Sequence, residues 1–261
     1  MLRALYTAAT GMYGQQMNVD NIAQNISNVN TIGYKKSRVE FQDLLYQTIT
    51  RPVVSEQTNQ PVGLQIGLGT RPVAIQTLFF QGNFTPTDNP TDVAIRGDAF
   101  FKIQVPGYEN PLYTKNGAFK VDVEGNLVTA DGYKVVGVET MEEGAYDIQI
   151  DTDGTVTYKV PGQTEVAEAG KIELAKFTNP AGLDKLGRNL YAATESSGEA
   201  QDWDSENDGT VGLVSGYVES SNVQVVEEMV DLIAAQRAYE FNSKVIQSSD
   251  DMLGMAASLK R

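Results

Sequence analysis

Proline placement constrains this chain more than any other feature. All nine prolines lie between Pro52 and Pro180; the first 51 residues and the last 81 contain none. Proline removes a backbone donor and clashes with the preceding helical turn, so long helices fit the two ends and not the middle. The 261 residues suffice for one large domain or two ordinary ones with a real core. The layout predicted is α+β. Long N- and C-terminal helices pack as a discontinuous coiled-coil domain (1–33 and 220–261). An extended β-arm or linker follows over 34–72, and a β-rich outer domain over 73–219.

The N-terminal segment carries a heptad. Leu5, Ala8, Met12, Gln15, Val19, Ile22, Ile26 and Val29 step alternately by three and four. Gly11 and Gly14 weaken it, each by roughly 1 kcal/mol against alanine. Asn18, Asn21, Asn25, Asn28 and Asn30 weaken it further, because their amides compete for the backbone. Asn30 or Gly33 is the natural stop. Asn25, Asn28, Asn30 and Gly33 form a polar motif that suits register-fixing bonds between neighbouring helices, as a buried asparagine fixes register in a coiled coil.

The C-terminal segment has two apolar rows, so its helix has neighbours on more than one side. One row is Val225, Met229, Leu232, Tyr239, Ile246 and Leu253. The other is Ala238, Phe241, Val245, Met252, Met255 and Leu259. Ser221 and Gln224 have capping-box spacing. A helix from about 222 to 258 would be roughly 55 Å long at 1.5 Å per residue. Leu5, Met12, Val19, Ile22, Ile26 and Val29 on the first helix are the candidate subunit-packing residues. On the second they are Val225, Met229, Leu232, Tyr239, Phe241, Val245, Ile246, Met252 and Leu253. One intramolecular pairing covers one side of each helix, and the remaining face marks an interaction surface.

Between the ends the period changes to two. The stretch from Ala118 to Glu139 alternates and turns at Glu124-Gly125 and Asp131-Gly132; that from Tyr146 to Val160 turns at Asp153-Gly154. These dipeptides supply the positive φ that tight hairpins need. The β-branched, Gln-rich run from Phe41 to Pro72 reads as extended arms.

Composition excludes much chemistry. There is no cysteine and no histidine, which removes thiol chemistry, the usual zinc ligands and the commonest general base. The net charge is −14, against the basic footprint that nucleic acid requires. Sixteen acids face five bases between Glu139 and Asp208, while the end segments are near neutral and suited to packing on copies of themselves. No catalytic motif spacing is present, and no cofactor is expected. The segment at Asp151 resembles a calcium loop but lacks glycine at position six, so a hairpin turn is the better reading. Asp204, Glu206, Asp208 and Gly209 come nearer, but Ser215 stands where a bidentate glutamate belongs. No apolar run reaches membrane-spanning length, and the N-terminus lacks the apolar core of a secretory signal. A calcium- or carbohydrate-binding β-protein on a helical stalk is the alternative from another class.

Three blocks carry a resemblance. The run Ala23–Arg38 (AQNISNVNTIGYKKSR) is similar to the N-terminal signature of the bacterial flagellar rod and hook proteins. Gly67–Ile103 resembles their central block and Gly216–Leu253 their C-terminal block. Leu44–Ala74 resembles the extended segment that sets rod members apart from the hook. Gln24 and Tyr34 depart from the family's usual asparagine and phenylalanine, and Ala99 from its second glycine. The resemblance implies a non-enzymatic subunit exported unfolded by the flagellar type III apparatus. It implies a homo-oligomeric helical tube outside the cytoplasmic membrane, with terminal helices as inner wall and the β-domain outward. Neighbouring rod and hook proteins, and ring proteins around the rod, are the implied partners.

Overall fold

The computed structural model describes residues 2–55, 58–60, 62–142, 144–161, 166–203, 209 and 211–258. The chain divides into two compact units. Long helices at both ends and strand between them is the α+β arrangement expected from the prolines. The units are cut differently from the expected domains. The first holds Met1–Ser27, Ser37–Gln76 and Gln224–Arg261; the second holds Asn28–Lys36 and Thr77–Val223.

The first unit has two helices and a ribbon. Helix α1 spans Leu2–Ser27 and helix α2 spans Val225–Ser258, and they pack on each other. α1 stops at Ser27, so Val29 lies beyond it in a turn rather than on its last turn. The turn is closed by Thr31 N–H donating to Asn28 O (3.1 Å). α2 begins after Gln224, and Ser221 Oγ accepts from Val223 N–H in a local turn (3.3 Å). The capping-box reading is corrected accordingly: the chain needs three more residues before helical geometry starts.

The described residues between 37 and 77 form nested strand pairs. They are β1 (Ser37–Asp43), β2 (Tyr46–Thr50), β3 (Val53–Ser55), β4 (Thr58–Gln60), β5 (Leu64–Gly67) and β6 (Thr70–Thr77). β1 pairs with β6, and β2–β5 and β3–β4 are antiparallel ladders. The predicted arm is thus a two-stranded ribbon folded back on itself. Gly69 (φ +119°) lies against α1; a Cβ there would meet Thr10 Oγ1 at 2.2 Å.

The second unit is built on the strand Ala99–Gln104. Its one edge pairs antiparallel with Leu112–Thr114; the other takes Lys134–Val135 and Leu174–Lys176 in succession. Successive side chains point to opposite faces, and both faces are covered. Ala99, Phe101 and Ile103 enter the larger core, where Phe101 meets Phe119 edge-on at 4.9 Å. Phe100 enters a smaller aromatic core with Tyr113, Phe177 and Tyr191. The hairpins fall where the Gly dipeptides predicted. Gly125 (φ +82°) donates to Asp122 O, Gly132 (φ +83°) to Thr129 O, and Gly154 (φ +88°) to Asp151 O. Asp151–Gly154 therefore joins Tyr146–Ile150 to Thr155–Lys159 as a turn.

Candidate assembly surface

Both helices carry the apolar rows expected of them, but the rows are used differently. On α1, Ile22 is buried, and Leu5, Met12, Val19 and Ile26 are half-buried, as is Val29 beyond it. On α2 the buried positions are Glu228, Ala235 and Ser249. Leu232, Ala238, Asn242, Ile246 and Leu253 are half-buried and complete one face at spacings of three and four. Small and polar residues dominate that face because the helices approach closely; a Cβ on Gly11 would come within 2.9 Å of Asn242 Nδ2. Of the nine candidate subunit-packing residues on α2, Val225, Met229, Tyr239, Phe241, Val245 and Met252 are exposed in the single chain. Apart from Leu232, Ile246 and Leu253, the large apolar side chains of α2 are thus left exposed.

Asn25 and the amide nitrogen of Asn21 find partners within the chain, while the buried Asn21 Oδ1 has none. Asn25 Nδ2 donates to Ser37 O (2.9 Å) and to Glu228 Oε2 (3.1 Å), while Ser37 N–H donates to Asn25 Oδ1 (3.0 Å). Asn21 Nδ2 donates to the same carbonyl at 2.7 Å. The Asn25 amide therefore acts as one more strand residue against β1, and it ties α1 to α2. This fixes the register of helix on ribbon, a local version of the role expected between helices. Asn28 Oδ1 accepts from Thr31 Oγ1, and Asn30 is exposed. Gly33 has φ +70°, and a Cβ there would meet backbone of Lys115 and Asn116 at 2.8 Å. Its missing side chain admits that backbone and does not end a helix.

Sequence reasoning missed a buried ionic cluster in the second unit. Lys35 Nζ lies 2.5 Å from Glu219 Oε1, with side chains 0% and 1% exposed. Lys35 also donates to Phe80 O (2.7 Å), and Gly82 N–H donates to Glu219 Oε1 (2.7 Å). Gly33 N–H donates to Glu219 O, and Asn222 Nδ2 to Leu78 O and Phe80 O. Three separate stretches of chain are clasped at one point. Lys115 lies nearby, donating to Gly97 O with its ammonium 5.1 Å from the Phe100 ring centre. Burial lowers its pKa to about 8, with Lys35 pushing the same way and Glu219 opposing. Burial also raises the Tyr191 hydroxyl. A lysine inside a polar run gives no hint that its partner lies 184 residues away.

The described residues contain no cluster of three or more metal-ligating side chains. The acidic loop 204–208 lies outside the described residues. No described helix is long and apolar enough to cross a membrane. The chemistry on display is that of surfaces: exposed apolar rows on α2 and on the ribbon, where Leu45, Tyr46, Ile49, Val62 and Leu64 face outward.

Three family models match the chain. Residues 5–35 match the family model described as flagella basal body rod protein. Residues 94–158 match the flagellar hook protein FlgE/F/G D1 domain, and 214–259 the flagellar basal body rod FlgEFG protein C-terminal. The flagellar basal-body rod protein FlgG of Borreliella burgdorferi is 48% identical, with both chains covered in full. FlgG of Agrobacterium fabrum is 44% identical over 98% of each chain, and FlgG of Bacillus subtilis 39% over 100% of each.

Proposed function

The chain belongs to the FlgG family of flagellar basal-body rod proteins, and on that premise we propose that it polymerises into the stiff, tubular distal rod that carries torque from motor to hook. It is a structural subunit of the flagellar rod, and its place is in the flagellum. The observation that supports polymerisation is the exposed apolar face of α2. Phe241 is 65% exposed and Met255 60%, with Val226, Val230 and Ile233 on the same helix also outside. A soluble monomer rarely leaves so long a stripe in water.

The finer reading follows the resemblance. The subunit leaves the cytoplasm unfolded through the flagellar type III apparatus and assembles outside the cytoplasmic membrane. It contacts earlier rod proteins, the hook and surrounding rings. The predicted packing residues on both helices make the inter-subunit contacts, and no cofactor takes part. Electron microscopy at high protein concentration tests this. Straight tubes are expected, lost when 1–30 and 222–261 are removed together. A chain that stays monomeric at every concentration, or that binds calcium or sugar tightly, refutes it.

A further inference from the structure

A cavity of about 670 Å³ opens between α1 and the ribbon of the first unit. Thr10, Tyr13 and Met17 form one wall; Leu44, Val73 and Ile75 form the other, with Arg71 at the same site. Gly69 lies directly against Thr10, so ribbon and helix meet there without an intervening side chain. Tyr13 is 60% exposed, and Val73 and Ile75 are exposed as well. Nothing within the chain's described residues fills the groove.

The chain's own α2 is not available to fill it. α2 touches α1 at Gly11 and Asn25. At about 100° per residue, Tyr13 and Met17 lie roughly 200° and 240° round the helix from Gly11. The groove is therefore on the side of α1 turned away from α2. Meanwhile α2 presents an unpartnered stripe, Phe241, Val245, Met252 and Met255, at heptad spacing and about 120° round from its α1-facing residues. Asp251 is exposed at the edge of the stripe, four residues before Met255, which suits a groove containing Arg71.

We infer that the α1–ribbon groove of one copy takes the Phe241–Met255 stripe of α2 from a neighbouring copy. The contact joins two different surfaces of the same chain, so it is head-to-tail and propagates into a filament instead of closing as a dimer. This rests on the polymer reading above and adds which faces meet.

The full-length chain has no cysteine of its own, which makes crosslinking clean. Tyr13→Cys is combined in turn with Phe241→Cys, Val245→Cys or Met252→Cys, and with Gln247→Cys as an exposed control off the stripe. Assembled rods are oxidised and run without reductant. At least one stripe pair should give a ladder of covalent oligomers on the order of tenfold stronger than the control, since held neighbours react at raised effective concentration. As a second measurement, Tyr13→Glu and Val245→Glu should each hold the chain monomeric while Gln247→Glu assembles normally. Normal rods whose stripe pairs crosslink no better than the control, or rods from all three glutamate variants, overturn the groove contact and leave the polymer reading standing. Absence of rods from the wild-type chain overturns both.

Discussion

Single side chains hold more of this molecule than their sequence context suggests. Asn25 satisfies both backbone groups of Ser37 and reaches Glu228, all in buried surroundings. Asn25→Leu removes these three bonds, leaving Ser37 O its bond from Asn21, and should cost roughly 2–3 kcal/mol. Asn28→Leu loses the half-buried bond to Thr31 and should cost less than Asn25→Leu, both read by urea unfolding. Lys35→Met strands Glu219 in the core and should cost about 3–5 kcal/mol. Replacing both, as Lys35→Met with Glu219→Leu, should cost less than the single change, and a double-mutant cycle measures the coupling. Lys115 titrates near pH 8 when folded, against an ordinary 10.5. Between those values the unfolded chain binds more protons, so stability should rise as pH increases from 8 to 10. Lys115→Met removes the charge and should flatten that rise, which chemical denaturation across the range would detect. None of these partnerships was legible beforehand. The asparagines read as helix weakeners, and the clasp joins residues 184 apart.

Elements were easier to read, because each follows from a local period or a turn residue. The heptad gave α1, although its observed end at Ser27 comes three to six residues before the stop expected at Asn30 or Gly33. The Gly dipeptides located the three hairpins through their positive φ. What the local pattern could not supply was pairing. The run from Phe41 to Pro72 has no alternation strong enough to announce that β2 faces β5 or that β1 faces β6. Its segments earn their strand geometry from each other and from α1. Nor could periodicity tell which apolar row of α2 serves α1, since small residues chose the close contact and left the large ones outside. A two-stranded ribbon is marginal by itself in water, and this one exposes Leu45, Tyr46, Ile49 and Leu64. Neighbouring subunits in the proposed tube would cover it and gain stiffness from dense packing. Deleting Pro52–Gly63 should then give curved or flexible polymers, judged by the bending of filaments in electron micrographs. Straight rods of unchanged stiffness would remove the ribbon from that role.

At the scale of the whole chain, the two units differ in how much they finish alone. The second has two cores closed on both faces of its central strand. The first leaves exposed apolar rows on helix and ribbon. In isolated monomer, amides of the second unit should exchange slowly and those of 1–27 and 225–258 quickly, with protection spreading to the helices on polymerisation. Uniform slow exchange in the monomer would contradict that. The pairing of α1 with α2 has a temporal consequence too. Asn25 and Glu228 are 203 positions apart, and contacts so distant form late. If the chain is threaded out one end first, the second unit can close once residues 28–223 have emerged, but the helical unit must wait for the trailing end. Whichever end leads, the sticky stripes stay unbuilt until delivery is complete, so the connectivity itself works as a timer against premature joining.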